Sequence, residues 1–166
     1  SVVRYGNVEG SRGSVIPLFH KSVKKNIFIV TSSDMTRFSL SLNKSVDMVL
    51  WAIKNCIGKE IVVPKIPSYK ILDLVKAFSV NPKIKVIGIR PGEKLHEELI
   101  SSNDSNNTIE LKDYFIILPH DELKTFVYYK KKFRAKLVKK DFKYQSNTNN
   151  KFLNISDLKK IVKKLS

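Results

Sequence analysis

The sequence of 166 residues predicts an α/β fold. Short apolar stretches of strand length alternate with longer stretches in which apolar residues recur at helical spacing, and this alternation is typical of α/β proteins. Apolar residues make up 42% of the chain and charged residues 28%, the balance of a globular protein with a core. We therefore expect residues 1–166 to form a single α/β unit without internal repeats.

The first part of the chain predicts two strands, a glycine-rich turn and two helices. An extended apolar stretch leads into Gly6, and Ser14 can cap a following helix that tolerates Pro17 in its first turn. Residues 27–30 form a short apolar stretch that predicts the next strand. The helix predicted over residues 43–56 would bury one apolar stripe, formed by Val46, Val49, Leu50, Ile53 and Ile57.

The remaining elements continue the alternation. They are strands at 61–63, 84–89 and 114–118; helices after Ser68, over 94–100 and over 156–165; and surface loops at 101–108 and 145–150. Runs of β-branched residues indicate the strands, while apolar residues three and four positions apart indicate the helices. The last helix would place four apolar residues inward: Leu158, Ile161, Val162 and Leu165.

The charge of the chain raises the question of a nucleic-acid partner. The formal net charge is +16, but only five of the 31 basic residues are arginine, the residue best suited to hold phosphates with two hydrogen bonds. Residues 128–144 interleave aromatic and basic residues, a mixture that can bind single-stranded nucleic acid. Because the lysines are spread along the whole chain, a solvated basic surface is favoured. A non-enzymatic domain that binds nucleic acid stays an alternative.

The composition argues against several other kinds of site. Cys56 is the only cysteine, so there is no internal disulfide, and a reducing, cytoplasmic compartment is predicted. No run approaches the roughly 18 apolar residues that a membrane span needs. His20, His96 and His120 lack cysteine or carboxylate neighbours at ligand spacing, so no metal site is predicted.

Three short stretches carry groups suited to an anionic ligand. Residues 4–14 place three glycines and several hydroxyls between a strand and a helix, where backbone N–H groups can approach an anion. Arg90 follows a predicted strand and offers a planar fork for a diphosphate, and Glu93 can accept hydrogen bonds from ribose hydroxyls. Residues 35–38 set a hydroxyl and a cation between two apolar residues. Taken singly, each stretch also fits a purely structural role.

Taken in order, five stretches resemble the second half of the inverting UDP-N-acetylglucosamine 4,6-dehydratases, members of the extended short-chain dehydrogenase/reductase superfamily. The stretches are Arg4–Val8, Gly10–Pro17, Met35–Phe38, Val63–Ser68 and Gly88–Glu97. The resemblance implies the carboxyl-terminal part of that fold, with the last Rossmann strands and a smaller substrate-binding α/β region. Residues 1–26 would end the NADP-binding core, and residues 27–166 would form mainly the substrate-binding region and the carboxyl-terminal tail.

The resemblance also implies roles for single residues. Asn7 and Thr36 would contact the nucleotide-sugar, while the diphosphate and ribose of UDP would be held by Arg90 and Glu93. Five residues would lie near the nicotinamide end of NADP: Val8, Glu9, Gly10, Ser11 and Arg12. No catalytic residue is expected, because the family's phosphate-binding turn, Asp-Lys pair and Tyr-X-X-X-Lys motif all precede the first matching strand. An amino-terminal NADP-binding half is therefore the predicted partner, and the complete enzyme is expected to be a homo-oligomer.

In that family, bound NADP oxidises C4 of the sugar, water leaves across C5 and C6, and the hydride returns to C6 with inversion at C5. The resemblance thus implies a lyase that makes UDP-2-acetamido-2,6-dideoxy-hexos-4-ulose for surface-glycan sugars. Glu9, Asp34 and Ser39 depart from the family pattern, which has a small apolar residue, an arginine and an aromatic residue there. A capsule-type nucleotide-sugar epimerase or 4,6-dehydratase, and a decayed gene product, stay as alternatives.

Overall fold

The computed structural model describes residues 1–119 and 123–165, so His120 lies outside the described residues. The strands are β1 (Val2–Val3), β2 (Ile27–Val30), β3 (Thr36–Phe38), β4 (Ile61–Pro64), β5 (Ser68–Lys70), β6 (Lys83–Val86), β7 (Glu98–Ile100), β8 (Thr108–Glu110), β9 (Tyr114–Ile117), β10 (Lys136–Leu137) and β11 (Tyr144–Gln145). The helices are α1 (Val15–Ser22), α2 (Leu42–Asn55), α3 (Ile71–Phe78), α4 (Ser102–Ser105), α5 (Leu123–Phe133) and α6 (Ile155–Lys164). Within this described part, no helix has the length and apolar character that crossing a membrane requires. The mixture of helices with parallel and antiparallel strands confirms the predicted α/β class.

The elements form two compact units, each with its own core. The first unit consists of Ser1–Tyr5, Leu42–Lys65 and Glu98–Gln145. The second unit consists of Gly6–Ser41, Ile66–Glu97 and the residues from Ser146 onward. The assignment of residues 1–26 to the end of a cofactor-binding core, and of the rest mainly to a substrate-binding region, stays a prediction.

The first unit is built on a five-stranded sheet in the order β1-β4-β9-β8-β10. β1 and β4 run parallel, with Val2 opposite Ile61, and the other neighbouring strands run antiparallel. Side chains of α2 and α5 pack on this sheet, and the core consists of Met48, Ala52, Val62, Ile109, Leu111, Ile116, Tyr129 and Ala135. β7 and β11 form a separate antiparallel pair.

A buried carboxylate closes the turn between α2 and β4 of the first unit. Glu60 is fully buried and accepts hydrogen bonds from the N–H groups of Ile57 (2.7 Å) and Gly58 (2.8 Å) and from the hydroxyls of Ser1 (2.6 Å) and Tyr129 (3.2 Å). Burial opposes ionisation, but the hydrogen bonds from Ser1, Ile57 and Gly58 outweigh it and hold the pKa of Glu60 below its ordinary value.

The second unit combines two strand pairs with three helices. β2 and β6 run parallel, with Phe28 opposite Ile84, and β3 and β5 run antiparallel. α3 packs against α6 and α1, and the ring of Phe19 from α1 meets that of Phe28 edge to face at 5.4 Å. A capping box begins α6: the Asn154 side chain accepts from the Asp157 N–H, and the Asp157 carboxylate accepts from the Asn154 N–H.

Helix α2 confirms the predicted element, but the predicted buried face is wrong. The side chains turned inward are Ser45, Met48, Ala52 and Asn55, whereas Val46, Leu50, Ile53 and Ile57 are exposed. The two buried polar groups bond to their own helix. The Ser45 hydroxyl donates to the Leu42 carbonyl at 2.6 Å, and the Asn55 amide donates to the Trp51 carbonyl at 2.9 Å.

Two predictions between residues 94 and 108 are also wrong. Residues 94–97 are not helical, because the Leu95 and Glu97 carbonyls accept hydrogen bonds from the Thr36 and Ser146 N–H groups, and β7 follows. Residues 101–108 are not simply a loop, since they contain α4 and lead into β8. There the Ser101 and Asp104 side chains form a capping box.

Three smaller corrections concern two element ends and one side chain. Ser68 lies in β5 and does not cap a helix; Lys70 is the N-cap of α3. The strand predicted over 84–89 ends at Val86. The predicted last helix is confirmed as α6, although Leu165 is exposed rather than inward. The strands predicted at 27–30, 61–63 and 114–118 are confirmed.

Candidate functional site

A cavity of about 400 Å³ lies within the second unit. The residues after β1, helix α1, strands β2 and β3 and the turn after β6 all contribute to its wall. Its apolar lining includes Val15, Ile16, Phe19, Val30, Met35, Phe38 and Ile71. Its polar lining includes Asn7, Glu9, Ser14, Thr31, Arg37, Tyr69, Arg90 and Glu93. An apolar cavity with a few convergent polar groups is typical of a small-molecule site.

The turn after β6 brings Arg90 and Glu93 to this cavity together. Gly92 has φ +79°, a conformation that glycine adopts without strain, and the Glu93 N–H donates to the Arg90 carbonyl at 3.0 Å. The Glu93 carboxylate accepts hydrogen bonds from the Arg90 N–H at 3.3 Å and from the Thr31 hydroxyl at 3.2 Å. Among the described residues, none accepts a hydrogen bond from the exposed Arg90 guanidinium. The turn thus fixes the carboxylate and leaves the cation available to an anionic ligand.

Arg37 is a second cation in the cavity wall, and its side chain is only 13% exposed. Its Nη1 donates to the carbonyls of Thr36 (2.7 Å) and Leu95 (3.1 Å), which fixes the guanidinium. Its Nη2 lies 3.8 Å from Glu93 Oε1, and its Nε lies 3.9 Å from Glu97 Oε1. Sequence reasoning noted this cation in the stretch 35–38 but did not assign it to the site, because spacing alone does not reveal the carboxylates that face it.

Asn7 also lines the cavity, and it is hydrogen-bonded to a carboxylate that the sequence did not single out. The Asn7 Nδ2 donates to Glu97 Oε1 at 3.4 Å, and Glu97 Oε2 accepts from the Phe38 N–H at 2.8 Å. Burial raises the pKa of Glu97, against the opposing effects of the Phe38 N–H and the Arg37 charge. The only sequence signal for Glu97 was its place at the end of the stretch 88–97.

The structure does not bring Thr36 into the cavity lining. Its side chain is buried, 4% exposed, and its Oγ1 lies 2.9 Å from His96 Nδ1 and 2.7 Å from Ser146 Oγ. These hydrogen bonds join β3 to the residues before β7 and to the segment that begins at Ser146. A direct contact between Thr36 and a substrate stays a prediction.

The five residues predicted near NADP are divided by the structure. Val8 and Glu9 line the cavity, whereas Gly10, Ser11 and Arg12 do not. The Glu9 N–H donates to the Leu40 carbonyl at 2.8 Å, and its carboxylate accepts from the Ser39 hydroxyl. The placement of these five residues near the nicotinamide end of NADP stays a prediction.

The residues of the alternative nucleic-acid surface are engaged inside the first unit. Tyr129 and Tyr144 are buried, and the Phe142 ring packs on that of Phe115 at 5.2 Å. Lys132 lies over the rings of Tyr128 and Phe133 at 5.1 and 5.3 Å. Aromatic rings must be accessible to stack on bases, so this arrangement counts against a single-strand platform.

Comparisons with known proteins connect this geometry to one family. Residues 1–119 match the family model described as polysaccharide biosynthesis protein. Over 97% of its length the chain is 42% identical to a UDP-N-acetylglucosamine 4,6-dehydratase (inverting) of Campylobacter jejuni subsp. jejuni serotype O:2, of which it covers 50%. It is 38% identical to a UDP-glucose 4-epimerase of Rickettsia conorii, over 97% of this chain and 48% of that protein. The structure resembles the X-ray structure of Pen from Bacillus thuringiensis with TM-score 0.82 and 34% identity, over 99% of this chain and 50% of that one.

The chain spans about half the length of the curated relatives it matches. The resemblance predicted from the five ordered stretches is confirmed by the 42% identity to the inverting dehydratase and by the family model. The matched residues 1–119 include the glycine-rich loop, β3 and the turn after β6, which carry the cavity's polar groups. By these matches, the chain belongs to the polysaccharide biosynthesis protein family.

Proposed function

We propose that the chain is the nucleotide-sugar-binding half of an inverting UDP-N-acetylglucosamine 4,6-dehydratase. The observation that carries the proposal is the convergence of Asn7, Arg90 and Glu93 on one cavity of about 400 Å³. The 42% identity to an enzyme of that name supports the choice of ligand. Both arginines of the cavity wall favour a ligand with phosphate groups, and the apolar lining favours one with a flat ring such as uracil.

Four polar groups of the cavity wall have roles in this proposal. Arg90 pairs with the diphosphate, because no described residue accepts a hydrogen bond from its guanidinium. Glu93 accepts hydrogen bonds from the ribose hydroxyls. Arg37 is held by two carbonyls and offsets the charge of Glu93. Asn7 contacts the sugar. Binding and orientation of the substrate are therefore the contribution of these residues, and no catalytic residue is assigned to the chain.

The chemistry of the complete enzyme is proposed to come from elsewhere. A nicotinamide cofactor, NADP in this proposal, supplies reversible oxidation of the sugar when bound, and Val8 and Glu9 lie where they would border it. The residues that hold its phosphates and move the protons would belong to an amino-terminal half, so the isolated chain is expected to be an inactive part of a cytoplasmic, homo-oligomeric lyase. The product would serve surface-glycan synthesis.

The second candidate function is that of a nucleotide-sugar epimerase. The 38% identity to a UDP-glucose 4-epimerase favours it, and an epimerase would use the same UDP contacts. The two candidates differ in the product. A mixture of this chain with a separately supplied amino-terminal half, NADP and UDP-N-acetylglucosamine distinguishes a 4-keto-6-deoxy product from a C4 epimer.

Calorimetric titration of the chain with UDP tests the proposed ligand directly. We expect saturable binding, and we expect Arg90→Gln to weaken it roughly tenfold or more, because one charge-assisted hydrogen bond to a phosphate contributes about 1.5–3 kcal/mol. Lys85→Gln is the matched control, since it removes one positive charge from an exposed position on β6. Equal effects of the two substitutions would show non-specific attraction to the basic chain, and absence of binding to the folded chain would refute the proposal.

A further inference from the structure

The carboxylate of Glu97 connects two parts of the cavity wall in the second unit. Its Oε2 accepts from the Phe38 N–H at 2.8 Å, and its Oε1 faces the amide of Asn7 at 3.4 Å and the Arg37 Nε at 3.9 Å. Its backbone is also fixed, because the Glu97 N–H donates to Ser146 Oγ at 2.9 Å and its carbonyl accepts from the Ser146 N–H at 2.8 Å. The side chain is only 17% exposed, so this carboxylate has a defined position.

That position determines how the amide of Asn7 is oriented. An ionised carboxylate can only accept hydrogen bonds, so the end of the amide that meets Glu97 must be the donor Nδ2. The acceptor Oδ1 is then the end that Glu97 does not occupy. Asn7 lines the cavity, and its Oδ1 is thereby left for a ligand. Without the carboxylate, the two ends of the amide are almost equal in shape, and rotation by half a turn would exchange them.

We propose that Glu97 is a positioning residue that holds the Asn7 amide with Oδ1 available to accept a hydrogen bond from the sugar of the nucleotide-sugar. The inference rests on the proposed function and deepens it, since it names the chemical group that Asn7 recognises: a hydroxyl or N–H donor. UDP alone lacks the sugar and gains nothing from this orientation. Glu97 therefore contributes to the preference for UDP-sugar over UDP.

Arg37 connects Glu97 to Glu93, the carboxylate assigned to the ribose of the nucleotide. Its guanidinium lies 3.9 Å from Glu97 Oε1 and 3.8 Å from Glu93 Oε1, and two carbonyls hold it in place. The carboxylate that positions the sugar contact and the carboxylate assigned to the ribose thus face one fixed cation. Gly6 belongs to the same arrangement, because a Cβ on that residue would lie 3.2 Å from Glu97 Oε2 and press on the carboxylate.

Exchange of donor and acceptor separates positioning from a merely structural role. In Glu97→Gln the amide oxygen can still accept from the Phe38 N–H, but a donor then faces the donor of Asn7. In Asn7→Asp an acceptor faces the acceptor of Glu97. In the double variant Asn7→Asp/Glu97→Gln the Gln donor meets the Asp acceptor, and the second Asp oxygen is again left for the ligand.

The measured quantity is the ratio of the dissociation constants for UDP and for UDP-N-acetylglucosamine, obtained by calorimetry on the full chain. We expect each single variant to reduce this preference for the UDP-sugar about threefold to tenfold, and the double variant to restore it. Glu110→Gln, an exposed carboxylate on β8 of the first unit, is the matched control and should change nothing.

The outcomes separate the inference from the proposed function. A folded wild-type chain that does not bind UDP refutes the proposed function. If UDP binds but the wild-type chain shows no preference for UDP-N-acetylglucosamine, or if Glu97→Gln leaves the preference intact, the inference is overturned. A double variant that stays as poor as the single variants also overturns it, because a structural brace would not be repaired by exchanging donor and acceptor. Thermal unfolding of each variant verifies that the chain is folded.

Discussion

Helix α2 offers a direct test of which side of a helix supports the first unit. The apolar stripe read from the sequence includes Leu50, whereas the structure buries Met48, which is 1% exposed while Leu50 is 58% exposed. Met48→Ala and Leu50→Ala are a matched pair, because each removes three heavy atoms from a helical position. Leucine, methionine and alanine also have similar helix propensities. A difference between the two variants therefore reports burial.

The expected magnitudes follow from the surroundings of each side chain. Met48 packs in the core that contains Val62, Ile116 and Tyr129. Loss of three buried heavy atoms removes about 2.4 kcal/mol of transfer free energy, and the remaining cavity adds to it, so Met48→Ala should lower the free energy of unfolding by about 2–4 kcal/mol. Leu50→Ala removes mostly hydrated surface and should change it by about 0.5 kcal/mol or less.

Urea unfolding followed by circular dichroism measures the free energy of unfolding of both variants. The comparison requires that its slope against urea concentration is the same in the variants and the wild type. Each variant is measured at two protein concentrations, so that any association through the exposed stripe of α2 appears as concentration dependence. A Leu50→Ala variant that loses as much stability as Met48→Ala at both concentrations would refute the orientation of α2. That result would instead support the buried stripe that the sequence predicts, which includes Leu50.

Two further predictions concern groups that hold element ends. Glu60→Gln should lower the free energy of unfolding by about 1–3 kcal/mol at pH 7, because the amide NH₂, on whichever side it lies, would face a backbone N–H of Ile57 or Gly58. Since the pKa of Glu60 is lower in the folded chain, its contribution is present above its ordinary value of 4.5 and is lost as the pH falls, so wild type and variant should converge in acid; a constant gap from pH 7 to pH 3 would contradict this. Asn154→Ala should cost about 0.5–2 kcal/mol by removing the cap of α6, whereas exposed Asn150→Ala should have little effect in the same urea assay.

Local patterns predicted the elements of the fold better than their faces and ends. Strands 61–63 and 114–118 follow from runs of β-branched and aromatic residues, and these strands pair in the central sheet of the first unit. The buried face of α2 did not follow, because most of the large apolar residues of the helix lie on the exposed stripe, while two of the four buried residues are polar. The helix predicted over residues 94–100 does not form, because the Leu95 and Glu97 carbonyls accept from the distant Thr36 and Ser146 N–H groups and β7 begins at Glu98. Such long-range pairing is not encoded in a local window.

For the site, sequence reasoning identified the contributing loops more completely than the interactions among them. Asn7, Arg90 and Glu93 were assigned to one ligand, and the structure brings them to one cavity. Arg37 and Glu97 were missed as site residues because their importance comes from a shared geometry. The Arg37 cation lies between two carboxylates, Glu93 and Glu97, and both are far from Arg37 along the chain. A charged residue without a spacing motif gives no signal until its partners are known.

The two departures at Glu9 and Ser39 show how such coupling can hide in a sequence. The resemblance leads us to expect a small apolar residue and an aromatic residue at these two positions. In the structure the Ser39 hydroxyl is buried and donates to the Glu9 carboxylate, while the Glu9 N–H pairs with the Leu40 carbonyl. A buried hydroxyl without an acceptor is costly, and so is a carboxylate in a partly apolar wall without a donor. Ser39 and Glu9 therefore satisfy each other as donor and acceptor at the border of the cavity.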